Sequence, residues 1–218
     1  MTGPGAGTTE AAPEPAADSG SRGARERILA AAVDRIATDG IDDMRIARVA
    51  TDAGVSTSLV HYHFETREAL LAEALEYSYE LAGDVRIEEG VDGRGHVERL
   101  ALMADQFLPH TGILERDWIL WVELWLRAVR HPELRPTAAG LYARMREWLA
   151  AAIAEGQKGG AFRSEADPER VADRLMALGD GYGIRVLIGA LDLDTARREL
   201  WAGLAHELGL PDEPPPRA

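Results

Sequence analysis

The 218-residue chain contains no cysteine. That single absence removes disulfides, thiolate metal sites and thiol nucleophiles. Lysine occurs once, as Lys158, and a formal charge of −13 argues against a general coat on nucleic acid. No run approaches the roughly 18 uninterrupted apolar residues that a membrane helix needs. The first twenty residues hold no Lys or Arg and no apolar stretch, so they do not read as a secretory signal. A soluble, cytoplasmic protein is expected. Sustained period-two alternation is missing too, as is any internal repeat, which leaves an all-α fold of about nine helices.

The charge is unevenly spread. Residues 24–67 are nearly neutral, with six Arg against seven acids, whereas residues 68–218 carry 17 basic and 27 acidic side chains. Residues 1–22, "MTGPGAGTTEAAPEPAADSGSR", hold too little apolar surface to offset their ordering entropy and read as a disordered tail. "PDEPPPRA", from 211 to 218, reads as a flexible end. Between them the expected units are a first domain over 23–68 and a second domain over 69–210.

Ile28, Ala32 and Ile36 share one face of a first helix that Gly40 stops. Ile46, Val49 and Ala50 face inward on a second, which ends at Gly54. Ser56 is placed to cap a third, and Thr66 a fourth. Beyond residue 90 the pattern predicts helices near 95–108, 114–130, 136–156, 168–190 and 194–208. Asp167-Pro168-Glu169 is a start signal, and Asp194 is a further cap candidate.

"IARVATDAGVSTSLVHYHF" is the most specific stretch. Two short helices meet at Ala53-Gly54-Val55, where Gly54 allows the positive φ of a sharp turn. This is a helix-turn-helix, in which the second helix enters the major groove. A metal reading of "HYH" fails on helix geometry. His61 and His63 stand about 200° apart around a helix, and no Asp, Glu or Cys nearby completes a ligand set. No nucleophile elbow accompanies Ser56 or Ser58. Val60 and Phe64 share the buried face. That leaves Ser56, Thr57, Ser58, Leu59, His61, Tyr62 and His63, with Arg45 before them and Thr66 and Arg67 after, to meet DNA phosphates and base edges. Leu59 reads equally well as packing on the first helix.

Through its amphipathic first helix, Gly40, the "AGVS" turn, the aromatic-His-Phe ending and "REALL", the segment 24–71 resembles the DNA-binding domain of the TetR family of bacterial repressors. That resemblance implies a homodimer whose second domain binds a small molecule. Three positions depart from the family pattern. Thr or Ser is usual near Met44 to cap the second helix, Tyr is usual at His61, and Lys is common at Arg67.

"ILERDWILWVELWLRAVRHPEL" places Trp118, Trp121 and Trp125 on one face of a helix that is apolar almost all round, and such a helix is buried. The face reads either as core or as a cavity wall, since ligand pockets are mostly apolar and aromatic. Met103, Phe107, Trp148 and Tyr182 are further candidates for that wall. Glu123 either pairs with Arg127 four residues on or meets a cationic ligand among the rings. This spacing more loosely resembles the BetI-type C-terminal domain, a likeness that does not carry a ligand with it.

The last two helices, about 168–208, show the stripes Leu175/Leu178/Tyr182/Val186 and Leu200/Leu204/Leu208. Gly179, Gly181, Gly183 and Gly189 follow no strand and precede no P-loop lysine, so they read as close-approach sites rather than a phosphate cradle. In the resembled family these helices form the dimer interface. The function expected is a repressor released from a double-stranded operator by a small-molecule effector, with no enzyme activity, cofactor or metal. The alternative is a small-molecule binding protein or enzyme on a helix-turn-helix scaffold.

Overall fold

The computed structural model describes residues 17–88, 95–163 and 165–215. These residues form α1 (Ala17–Asp43), α2 (Ile46–Ala53), α3 (Thr57–His63), α4 (Arg67–Glu88), α5 (His96–Asp105), α6 (Gly112–Arg130), a 3-10 turn (Pro132–Leu134), α7 (Arg135–Lys158), α8 (Pro168–Leu187) and α9 (Leu193–Leu208). No strand occurs among them. No described helix is long and apolar enough to cross a membrane.

The helix boundaries have local causes. α1 begins at Ala17, inside the segment whose composition predicts a tail; residues 1–16 lie outside the described residues. Gly40 breaks α1 with φ 73° and ψ 161°, a conformation a side chain disfavours, and one further turn leads to Asp43. Gly54 closes α2 in the left-handed region, its N–H on the Thr51 carbonyl. Ser56 caps α3 by accepting from the Leu59 N–H at 3.2 Å. Thr66 does the same for Ala69 at 3.0 Å. Asp167 caps α8. At α9 the cap is Asp192, on the Thr195 N–H at 2.8 Å, rather than Asp194, which sits in the first turn.

Two apolar cores result. The first joins α1 to α4 and continues into α6 through Leu120, Leu124 and Ala128. It therefore runs past residue 68, where the sequence places a domain boundary. Leu120 and Leu124 are fully buried, each stabilising the fold by about 1.5–3 kcal/mol. The second core joins α5, α7, α8 and α9. Leu175, Leu200, Leu204 and Leu208 are buried inside it. Of the stripes read from the sequence, Leu178, Tyr182 and Val186 on α8 are only half-buried and pack at the edge of this core. The outward faces of α8 and α9 carry small or polar residues: Ala177, Gly181, Ala202 and His206 are exposed.

Candidate DNA-reading surface and ligand cavity

The helix-turn-helix has the faces its sequence predicts. Val49 and Val60 are fully buried and Phe64 nearly so, with Ile46 and Val55 packed against them. Ser56, Thr57, Ser58, His61, Thr66 and Arg67 are exposed, and Tyr62 projects furthest at 78% exposure. Leu59 and His63 are half-buried. The His63 ring lies edge-on to Tyr62, with centroids 5.2 Å apart. A surface of hydroxyls, one aromatic ring and arginines suits a DNA groove and its flanking phosphates. Arg67 also donates to the Asp42 carbonyl at 3.0 Å, which ties α4 to the end of α1.

Met44 turns out to be wholly buried in the first core. The N-cap of α2 is Arg45, whose extended backbone is right for a cap but whose side chain makes no cap hydrogen bond. Arg45 is exposed. Where a hydroxyl would close the helix end, this chain has an exposed arginine in a surface depression shared with Asp39, Asp42, Asp43, Arg48 and Arg67.

A separate small cavity, about 50 Å³, opens among α4, α6, α7, α8 and the end of α5. Its aromatic wall is continuous. Trp118 and Trp125 meet edge to face at 5.9 Å. Trp121 lies 6.0 Å from Trp125 and 5.3 Å from Tyr142. Phe107, Leu75, Leu114 and Met145 complete the apolar lining. Of the sequence candidates, Phe107, Trp118, Trp121 and Trp125 therefore meet at one cavity. Met103 is buried in the second core, and Trp148 and Tyr182 pack against that core; none of these three lines the cavity.

Two carboxylates enter the wall that the sequence reading left out. Asp117 is the one buried charged side chain of the described residues, and it accepts a hydrogen bond from the Ser78 hydroxyl. Asp180 accepts from the Tyr142 hydroxyl at 2.6 Å. Burial pushes the Asp180 carboxyl above the usual carboxylate range, partly opposed by that hydrogen bond. Burial also drives the Tyr142 phenol upward, with Asp180 adding to the shift, so its proton stays in place. Among the described lining residues there is no Lys, Arg or His. Asp117 was legible in principle. With 3.6 residues per turn it falls on the same face as Leu114, Trp118, Trp121 and Trp125. Asp180 and Tyr142 belong to α8 and α7, and nothing local links them to the tryptophans.

The glycines of α8 explain part of this wall. A Cβ on Gly183 would fall 1.9 Å from the Trp118 ring, and one on Gly179 would fall 2.8 Å from Phe107. Both glycines exist so that rings from α6 and the α5–α6 link can lie against the helix backbone. A Cβ on Gly181 would meet nothing within 4 Å.

Glu123 is elsewhere. It points neither into the cavity nor at Arg127. Its Oε1 accepts from the Ile41 N–H at 3.4 Å, just after the break in α1. Arg127 pairs with Glu68 and Asp42. Glu123 stands about 200° around the helix from Trp121, so the two readings offered by its sequence neighbours both give way to a contact with a distant segment.

An exposed helix-turn-helix joined to a helical domain with an aromatic-lined cavity defines a ligand-responsive class of DNA-binding regulator. The family model described as "Bacterial regulatory proteins, tetR family" matches residues 28–74. That described as "BetI-type transcriptional repressor, C-terminal" matches residues 96–209. The chain belongs to the TetR family of transcriptional regulators, with a C-terminal domain of the BetI type. It is 24% identical over 173 residues to the HTH-type transcriptional regulator BetI of Brucella abortus (strain 2308), covering 79% of this chain and 84% of that one. Among solved structures, a TetR-family regulator from Rhodococcus sp. is 30% identical with a TM-score of 0.77, covering 86% of this chain and 99% of that one. A transcriptional regulator from Saccharomonospora viridis, crystallised in complex with choline, is 35% identical with a TM-score of 0.74, covering 85% and 97%.

Proposed function

We propose that this protein is a homodimeric repressor, cytoplasmic and without catalytic activity, that leaves its operator when a small organic cation of the methylated-ammonium class fills the α6 cavity. The observation that carries the ligand class is the wall itself. Trp118, Trp121, Trp125 and Tyr142 supply aromatic rings, and Asp117 and Asp180 supply acidic groups among them. Aromatic cages recognise quaternary ammonium groups through the ring quadrupole, by about 2 kcal/mol or more where water is excluded. The choline held by the Saccharomonospora viridis regulator supports the same class.

DNA is read by the exposed hydroxyls of Ser56, Thr57 and Ser58, by Tyr62 and His61, and by the flanking Arg45, Thr66 and Arg67, with Leu59 and His63 at the margin. A two-fold dimer through α8 and α9 sets two α3 helices about 34–36 Å apart, one turn of DNA. The effector then acts by binding the DNA-incompetent arrangement better, and the operator must weaken effector binding in return.

Fragments selected from genomic DNA by the full-length protein supply the operator. Choline and its neutral carbon isostere 3,3-dimethylbutanol are then titrated against the complex. Release by choline and not by the isostere is expected. Equal release by both would sink the cation reading, and failure to enrich any palindromic fragment would sink the repressor reading.

A further inference from the structure

α6 has two chemically different faces, and only one of them belongs to the cavity. Trp118, Trp121 and Trp125 line the pocket. On the opposite side Glu123 and Arg127 reach the DNA-binding helices. Glu123 accepts the Ile41 N–H at 3.4 Å. Its carboxylate also lies so near Gly40 that a Cβ there would approach Oε1 to 3.2 Å. The Arg127 side chain is only 14% exposed and holds two carboxylates at once, Glu68 in the first turn of α4 at 3.2 Å and Asp42 at the end of α1. Arg67 adds a second tie, from α4 to the Asp42 carbonyl. The segment Gly40–Arg45 carries the chain from the long part of α1 into α2, which Arg27 also holds from α1 through the Ala53 carbonyl at 3.1 Å.

We infer that Glu123 and Arg127 are positioning residues that couple the ligand cavity to the DNA-reading surface, by fixing the α1 break and the start of α4 to the pocket helix. The inference rests on the effector-release reading above. A single rigid helix carries both the rings that would meet the effector and the side chains that hold Ile41, Asp42 and Glu68. A ligand that shifts α6 by a fraction of an ångström shifts the register of both ends of the helix-turn-helix, because α1 is interrupted at Gly40 and the following turn has its own tether. The glycine break makes the segment movable, and the Glu123–Arg127 pair decides where it rests. The coupling therefore runs through two contacts, at the end of α1 and at the start of α4, and not through α4 alone.

The coupling is measured as the ratio of choline dissociation constants for operator-bound and free protein, read from tryptophan emission. In the wild type the ratio exceeds one, by about 5- to 150-fold for a typical allosteric pair. Arg127→Met keeps the aliphatic stem and removes both ion pairs. Glu123→Met keeps the length of the side chain and removes the acceptor of the Ile41 N–H. Both are expected to leave choline affinity of the free protein within about twofold while the ratio falls several-fold. Arg127→Lys, which keeps the charge without the fork, restores part of the ratio. An unchanged ratio in Arg127→Met and Glu123→Met would overturn the inference, and so would a loss of choline affinity in the free protein that accounts for the whole change. If choline elicits no response from the wild type, the cation reading of the cavity falls by itself. The coupling is then read from hydrogen exchange of the α6 amides upon operator binding. Exchange must change in the wild type and not in Arg127→Met for the inference to stand.

Discussion

Asp180 shows how a single buried carboxylate ties stability, pH and ligand together. Burial raises its pKa in the folded protein above the ordinary value of 3.8. A raised folded-state value means that the native state holds the proton more tightly than the unfolded chain. Its contribution to stability is therefore fully present below 3.8 and is lost as pH rises through the raised value. Once ionised, this carboxylate works against the fold. A bound cation favours the ionised form, so choline affinity should climb as pH rises through the window above 3.8. Asp180→Asn should flatten that slope and raise the melting temperature of the ligand-free protein at neutral pH. Tryptophan-emission titrations at several pH values test this, and an identical slope in the variant would mean that another group governs it. Glu123 gives the complementary lesson. Its helical position alone excludes it from the tryptophan face, yet no periodicity names Ile41 as its partner, because 82 residues separate the two.

At the level of the helix, α2 is the least well terminated element of the reading head. Its N-cap backbone is extended as a cap requires, but Arg45 gives the end no side-chain hydrogen bond. Arg45→Thr supplies the missing acceptor and should stabilise the protein by about 1 kcal/mol, seen as a higher melting temperature in circular dichroism. The same change removes a cation beside the groove, so operator affinity should fall, with a shallower dependence on salt. A variant that melts higher and binds the operator as tightly as before would show that Arg45 lies off the DNA. α3 and α6 contrast in what could be read ahead of the structure. α3 is short and has one buried face, so its exposed residues follow from spacing. α6 is apolar almost all round, yet Ile113, Leu126 and Val129 are exposed, so the expectation of a fully buried helix fails and hydropathy cannot say which apolar face meets a cavity, which meets α1 and which meets solvent.

At the scale of the whole molecule, Leu175, Leu200, Leu204 and Leu208 fill the second core. The residual outward face is narrow-waisted, with Ala177, Gly181 and Ala202 exposed and open space above Gly181. Small residues let helix backbones approach, and a bulky one there should hold them apart. Gly181→Leu is expected to weaken the dimer by roughly tenfold or more, the consequence of overpacking that costs about 1–3 kcal/mol. Sedimentation would show the shift toward monomer, and operator affinity would drop with it. Gly183→Leu does not test the same point, because its side chain would strike Trp118 within the protomer. Retention of the dimer in Gly181→Leu would place the interface on another face.

Along the chain, local chemistry was sufficient for nearly every helix, for the helix-turn-helix and for its exposed residues. Caps, glycine turns and 3.6-residue periodicity act within a few residues of one another, and a linear reading captures them. The cavity is different in kind. Phe107, Trp118, Trp121 and Trp125 were recognisable as aromatic candidates. Their union with Tyr142, Asp117 and Asp180, and the separation of Met103, Trp148 and Tyr182 from them, depend on how α6, α7 and α8 pack. So does the turning of Glu123 and Arg127 toward α1 and α4. Long-range side-chain convergence is a property of helix placement, and two glycines on α8 set that placement by letting rings from elsewhere lie against its backbone.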